Sequence, residues 1–282
     1  MGWFEERGGL GGTVALITGG AGGLGEGIVA DLAANGVRTV VIDIDGDAVE
    51  GLRTAFAERG QEAIVHHGDA RDTDALAALF TAVDQRWGRL DTLVNVVGGT
   101  FRAPFTETTP KGWNAIIRTN LLHVLDACSM AVPRMRAGGR GGSIINVTTI
   151  EAHRAAPGYA VYTAAKAAVE QFARTLAVEV APDGIRVNNI APDYAPTPNL
   201  LKAGGGETAF GPVGTPIAIP MGRTGQISDI SGCAVFLASG LSSYVTGTTL
   251  HPDGGTFASS GWFNWPGTGW ANHAPADVLE RL

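Results

Sequence analysis

Only two of the 282 residues are cysteine, Cys128 and Cys233, far apart and each inside an apolar run (LLHVLDACSMAV and SGCAVFLAS). That rules out a disulfide scaffold and reads as two buried thiols in a reducing compartment. No CxxC or HExxH pattern is present, and no metal is expected. The histidines lack ligand spacing, and the adjacent pair His66–His67 ends an apolar run (AIVHHGD) as a strand terminus does. Positive charge is also scarce, with 20 Lys and Arg against 27 Asp and Glu and a formal net charge of −7. Such a chain is a poor partner for nucleic acid or an anionic membrane surface. No apolar stretch reaches the roughly 18 residues of a membrane span. The opening MGWFEERGGLGG lacks the basic-then-apolar order of a signal peptide. The expectations left are the cytoplasm and a small-molecule partner, with neither nucleic acid nor membrane.

What the chain does have is apolar residues, 45 % of the total, enough for the core of one large α/β domain. Strand-like runs rich in Val and Ile stand at 13–20, 39–45, 63–69, 90–98, 143–149, 184–192 and 249–255. Helical spacing fills the gaps near 24–35, 46–59, 72–88, 110–136, 158–181 and 226–238. Strands apolar along their whole length, alternating with helices, predict a parallel sheet covered on both faces. The fold class is therefore α/β: a single Rossmann-type, doubly wound parallel sheet of about seven strands, spanning 1–282. One segment breaks the pattern, 193–225, with Gly204, Gly205, Gly206, Pro212, Pro216 and Pro220. An irregular insert of that length reads as a lid or binding loop. The tail 256–282 carries Trp262, Phe263, Trp265 and Trp270, which a lone domain has little reason to expose.

The first strand runs into Thr18-Gly19-Gly20-Ala21-Gly22-Gly23-Leu24-Gly25. Glycines between a buried strand and a helix let the backbone come close to a ligand, and the free N–H groups of the helix start suit a pyrophosphate. Tight turns use glycine too, so the position of the cluster carries the inference. The second strand reaches Asp43, where a dinucleotide fold places an acid to accept from the adenosine ribose hydroxyls. A carboxylate there repels the extra phosphate of NADP, and Arg38 should lie at the opposite end of the sheet. NAD is favoured over NADP. The competing reading of Asp43 is a solvated strand end.

Tyr162-Thr163-Ala164-Ala165-Lys166 places Tyr and Lys one above the other on a helical face. Alone that spacing is common. Together with the TGGAGGLG turn, Asp43, Asp69, NVVG at 95–98, Asn120, Thr149 and NNIAPDYAPT at 188–197, it resembles the short-chain dehydrogenase/reductase family. The likeness spans about residues 11 to 257. It implies reversible hydride transfer between NAD(H) and a secondary alcohol or ketone. Tyr162 would be the general acid/base, its phenol (ordinarily near 10) held down by the Lys166 ammonium and the positive nicotinamide. Lys166 would also hold the nicotinamide ribose. Asn120 would bend its helix and carry a proton path to Lys166. Gly19, Gly23, Leu24 and Gly25 would form the pyrophosphate turn, and Asp69 would meet the adenine. Asn95 and Gly98 would shape the cofactor floor, Pro192 would line it, and Thr197 would bond the carboxamide.

Three positions depart from the family pattern. Thr149 replaces the usual Ser thirteen residues before the Tyr, keeping the hydroxyl but stiffening χ1. NNAG becomes Asn95-Val96-Val97-Gly98. The Pro-Gly after the sixth strand becomes Pro192-Asp193, which should bring a carboxylate close to nicotinamide and substrate. Substrate contacts are expected from Glu151, His153 and Tyr194, with Thr100, Phe101 and the 199–220 stretch beside them. A plain salt link between Glu151 and Arg154 is the alternative. The resemblance implies that the apolar faces of 110–136 (Ile116, Leu121, Val124, Leu125) and 158–181 (Val169, Phe172, Leu176) pair between subunits, in a homotetramer or homodimer, unless they are core. Two rival functions stay open: an NADPH-dependent 3-oxoacyl-thioester reductase, and a non-catalytic NAD(H)-binding sensor.

Overall fold

The computed structural model describes residues 2–197 and 211–280. After a short helix α1 (Trp3–Gly8), strand and helix alternate: β1 (Val14–Thr18), α2 (Gly23–Ala34), β2 (Arg38–Asp43), α3 (Gly46–Glu58), β3 (Ala63–His67), α4 (Thr73–Trp87) and β4 (Thr92–Asn95). There follow α5 (Pro110–Ile117), α6 (His123–Gly138), β5 (Gly142–Val147), α7 (Ala160–Val180), β6 (Ile185–Ile190), helix Ile227–Ala238 and β7 (Thr249–Leu250). The strands form one seven-stranded sheet in the order β3-β2-β1-β4-β5-β6-β7, parallel at each pairing. This is the doubly wound Rossmann-type fold expected from the apolar runs.

Strand periodicity divides the core in two. Val14 and Leu16 face one layer, where α4, α6 and α7 bring Phe80, Val124, Met135 and Val169. Ala15 and Ile17 face the other, where α2, α3 and helix Ile227–Ala238 bring Ile28, Leu32, Val49 and Ile230. Asp72 caps α4 by accepting from the Asp74 and Ala75 amides, and Gly88, at φ 60°, ends it. The chain winds from β1 outward to β3, then crosses back to β4. A crevice therefore opens at the carboxyl ends of β1 and β4, where such sheets take their ligands.

Four expectations need adjustment. β7 is two residues long, not 249–255, because Pro252 has no N–H to give and Gly254 and Gly255 take φ of 65° and 92°. The long helical stretch is interrupted at Arg118–Leu122 by a π turn and continues to Gly138. Contrary to the sequence expectation, Pro110–Gly138 is long and apolar enough, by length and composition, to cross a membrane. Its Val124, Ala127, Cys128, Ala131 and Met135 are core residues packed on the sheet. The insert is not wholly irregular, since Gly211–Ala218 is helical. Residues 198–210 of the insert lie outside the described residues.

Of the faces expected to pair between subunits, Ile116, Val124 and Val169 are buried within the chain, and Leu121, Phe172 and Leu176 pack partly against the core. The aromatic tail folds into an antiparallel hairpin, β8 (Phe263–Trp265) with β9 (Gly269–Ala271). Trp262 and Trp270 remain half-exposed and, with Pro220, Gly255, Ala258 and Ser259, line a cleft of about 410 Å³.

Candidate active site

The glycine turn approaches its own backbone as closely as it can. A Cβ on Gly25 would lie 1.9 Å from the Gly19 carbonyl oxygen, and one on Gly23 would lie 3.4 Å from Thr197 Cβ. Gly19 and Gly23 take φ of 69° and 56°, which favours glycine. Leu24 packs against the second core layer. The N-terminus of α2 has no side-chain cap, so its first N–H groups are left for an anion. Asp43 stands beside the turn, accepting from the Ala21 amide (3.0 Å) and the Asp45 amide (3.1 Å). Arg38, at the far end of β2, pairs with Glu62 at 2.8 Å. These features fit the diphosphate and adenosine ribose of a dinucleotide.

Asp69 is not a free carboxylate. Arg71 grips it at both oxygens, with Nε at 2.9 Å from Oδ1 and Nη2 at 2.7 Å from Oδ2, and reaches on to the Thr119 hydroxyl. That hydrogen bonding holds the Asp69 carboxyl below its ordinary value. Asn95 is buried, donating to Asn146 Oδ1 (2.9 Å), and Asn146 donates to Asn189 Oδ1 (3.1 Å), which in turn reaches Thr249. Register pairing aligns these side chains as a polar ladder across four strands, β4 to β7. Residues so far apart in sequence show their partnership only once register is known. Among the described residues no group of three His, Cys, Asp or Glu could hold a metal.

The reacting side chains gather at the carboxyl ends of β4 and β5. Asn120 sits in the π turn, donating to the Gly99 and Ile116 carbonyls (2.7 and 2.9 Å) and accepting from the Gly99 amide at 3.2 Å. A Cβ on Gly98 would lie 3.1 Å from Lys166 Nζ and 3.2 Å from Asn120 Oδ1, so glycine lets both reach the loop after β4. Lys166 Nζ donates to the Val147 carbonyl at 2.9 Å, and burial pushes its ammonium down to about 8. His123, one turn past Asn120 and also enclosed, is pushed down to about 3 by burial and stays neutral.

The Thr149 side chain acts on the Tyr162 phenol, and its oxygen accepts from the Glu151 amide at 3.3 Å. Thr149 thus stands where the family pattern puts Ser. The expected lowering of the phenol by Lys166 is not what this structure holds. Burial pushes Tyr162 up to about 12, Thr149 opposes that rise, and the Glu151 charge adds to it.

On the substrate side, Glu151 makes the salt link weighed against a substrate role. Arg154 lies 2.8 Å from it and 3.7 Å from Asp193. Burial raises the Asp193 carboxyl, while the Thr256 hydroxyl and Arg154 work against that rise. The acid in the place of the family glycine is therefore held by partners. His153 lies 3.0 Å from Glu170, a carboxylate that sequence reasoning did not single out. The Pro192 carbonyl accepts from the Ile150 amide (3.1 Å), and the Tyr194 carbonyl from the Gly225 amide (3.0 Å), tying the insert to the site. Phe101, Phe105, Ile116 and Tyr159 line a small apolar recess against Tyr162.

Residues 19–256 match the family model described as enoyl-(acyl carrier protein) reductase. The sequence is 31% identical over 250 residues to gluconate 5-dehydrogenase of Gluconobacter oxydans, covering 89% of this chain and 96% of that protein. It is 34% identical over 248 residues to the 3-oxoacyl-(acyl-carrier-protein) reductase of Thermotoga maritima, covering 87% and 98%. A solved short-chain type dehydrogenase/reductase from Mycobacterium marinum superposes with a TM-score of 0.80 at 28% identity, over 88% of this chain and 96% of that one.

Proposed function

This chain belongs to the short-chain dehydrogenase/reductase family and is an oxidoreductase of that family, and on that premise we propose that it moves hydride reversibly between NAD(H) and a secondary alcohol or ketone. The observation that carries this reading is the enclosed Lys166 ammonium, one helical turn from Tyr162 on α7 and bonded to the Val147 carbonyl two residues before Thr149. The glycine turn, Asp43 and the loop after β4 would hold the nicotinamide dinucleotide, which when bound would supply or accept the hydride. The chain's own residues handle the proton. In reduction the Tyr162 phenol gives its proton to the substrate oxygen, and in oxidation the phenolate takes it. Thr149 Oγ1 bonds the same substrate oxygen and fixes its distance from the phenol. Burial favours the protonated phenol, so oxidation needs a nearby positive charge to hold the phenolate. Lys166 is the group placed to supply it. Asn120, bonded to the Gly99 peptide beside it, holds the loop that would floor the cofactor.

The Asp43 carboxylate, braced against the turn, supports NAD over NADP. The identity to a 3-oxoacyl-thioester reductase favours a second reading, one that would use NADPH. A comparison of NADH and NADPH turnover separates the two. A cytoplasmic homotetramer or homodimer is proposed with the main reading, and light scattering after gel filtration gives the subunit count. The central test is a panel of secondary alcohols and cyclic ketones followed by NADH absorbance. Tyr162→Phe should cut kcat about 10²–10⁴-fold with NADH affinity unchanged. Full turnover by that variant would sink the mechanism. NADH binding without turnover on the whole panel would favour a sensor.

A further inference from the structure

Tyr162, Lys166 and Glu170 stand four residues apart on α7 and so share a face. Each engages one of three consecutive residues leaving β5. Lys166 Nζ donates to the Val147 carbonyl at 2.9 Å, the Thr148 hydroxyl donates to Glu170 Oε1 at 2.8 Å, and the Thr149 side chain holds down the rise of the Tyr162 phenol. The mechanism uses the first and third of these contacts. The middle one has no assigned role.

Glu170 is 2 % exposed, and a carboxylate so enclosed is costly to keep without partners. It has Thr148 on one oxygen. On the other it has His153, whose Nε2 lies 3.0 Å from Oε2, off the line of a directed hydrogen bond. His153 packs edge-on against His251 at 4.7 Å, and both rings rest against Phe257 at 5.1 and 5.0 Å. The Thr148 amide is also pinned to β6, donating to the Ile190 carbonyl at 2.7 Å. Glu170 therefore holds one end of the turn 148–153 through the Thr148 hydroxyl and lies against His153 at the other. Nothing in the proton chemistry requires a buried acid here, and an apolar residue would fill the space without needing partners.

We propose that Glu170 is a positioning residue of the hydride-transfer reaction: by bonding Thr148 and packing against His153 it sets the turn that presents the Thr149 hydroxyl beside Tyr162. It touches neither substrate nor cofactor. The inference rests on the dehydrogenase reading above. A displacement of about 1 Å in such a group costs roughly 10²-fold in rate.

The test uses full-length Glu170→Ala, Glu170→Gln and Thr148→Val, the last replacing a hydroxyl by a methyl of similar size. Turnover is followed with NAD and the best alcohol of the panel, NADH affinity by fluorescence, and backbone hydrogen exchange across 148–153. Glu170→Ala and Thr148→Val should each lower kcat about 10–100-fold, keep the NADH Kd within about twofold, and speed exchange across the turn. Glu170→Gln, whose amide oxygen still accepts from Thr148, should recover most of the rate. The double variant should lose no more than the worse single one, as expected of residues acting in one chain. Unchanged kcat and exchange in Thr148→Val, or losses that add, would overturn the assignment. If Glu170→Ala fails to fold, Thr148→Val and Glu170→Gln decide. A wild-type protein inert on every alcohol would defeat the dehydrogenase reading instead, and exchange across the turn would still report whether Glu170 holds it.

Discussion

Replacing Lys166 by Met should make the ligand-free protein more stable while disabling it. The ammonium is fully enclosed, with its pKa pushed from 10.5 to about 8 by burial. Below the folded value both states carry the proton, and the folded state bears the whole cost of a buried charge. Between the two values the unfolded chain binds more proton, so stability rises with pH. Above the unfolded value the cost is gone. At about 1.36 kcal/mol per pKa unit, the gap between 10.5 and about 8 corresponds to roughly 3 kcal/mol. Methionine leaves the Val147 carbonyl without its donor, which returns about 1 kcal/mol to the unfolded side. The net expectation is a gain of about 2 kcal/mol at pH 7. Urea unfolding of both proteins from pH 7 to pH 10 reads it. The variant's advantage should be largest at neutral pH and vanish as the wild-type amine loses its proton. A variant less stable at pH 7, or an advantage that does not change with pH, would refute the reasoning.

Three further outcomes follow from other parts of the site. Asp43→Asn should shift the ratio of NADPH to NADH affinity by tenfold or more, because a carboxylate about 4 Å from a phosphate opposes it by up to about 4 kcal/mol per charge; fluorescence titration of both nucleotides measures the shift, and an unchanged ratio removes Asp43 from cofactor choice. Gly25→Ala places a methyl 1.9 Å from the Gly19 carbonyl oxygen, which should cost about 3 kcal/mol or more and weaken NADH binding; calorimetry showing an unshifted Tm would contradict that. Thr149→Ser should keep kcat within about threefold, whereas Thr149→Val should cost about 10-fold or more through the lost hydrogen bond. Equal activity in the two variants would take the hydroxyl out of the mechanism.

The sheet was legible in the sequence because strands buried on both faces must be apolar throughout. TVALIT, TVVID and SIINV stand out against amphipathic helices with no alternation to confuse them. The glycine turn and Asp43 were legible because each is a local requirement placed by one strand end. The end of β7 was misjudged because the apolar signal stopped at Leu250 while the turn residues after it invited extension. Other features stayed hidden because they depend on contacts between distant segments. Glu170 reads as an exposed helix residue until the turn after β5 is packed on it. Arg154 and Asp193 meet across 39 residues of chain. The Tyr162–Lys166 spacing predicts proximity, but how deeply the pair is enclosed, and hence which way the phenol shifts, depends on everything packed around it.

The wide turn at Arg118–Leu122 has a consequence for how this site can be lost. An α-helix advances about 100° per residue, so a residue absorbed in a π turn leaves the helix beyond it out of phase with the helix before it. α5 and α6 share an axis but keep different clocks, and Asn120 sits at the point where they disagree. Deleting a single residue there would restore one regular helix, and the whole of α6 would turn by about 100° relative to α5. Regular helix geometry would be regained, and the amide would swing away from Gly99. A gain in local order would be the mark of the lost site.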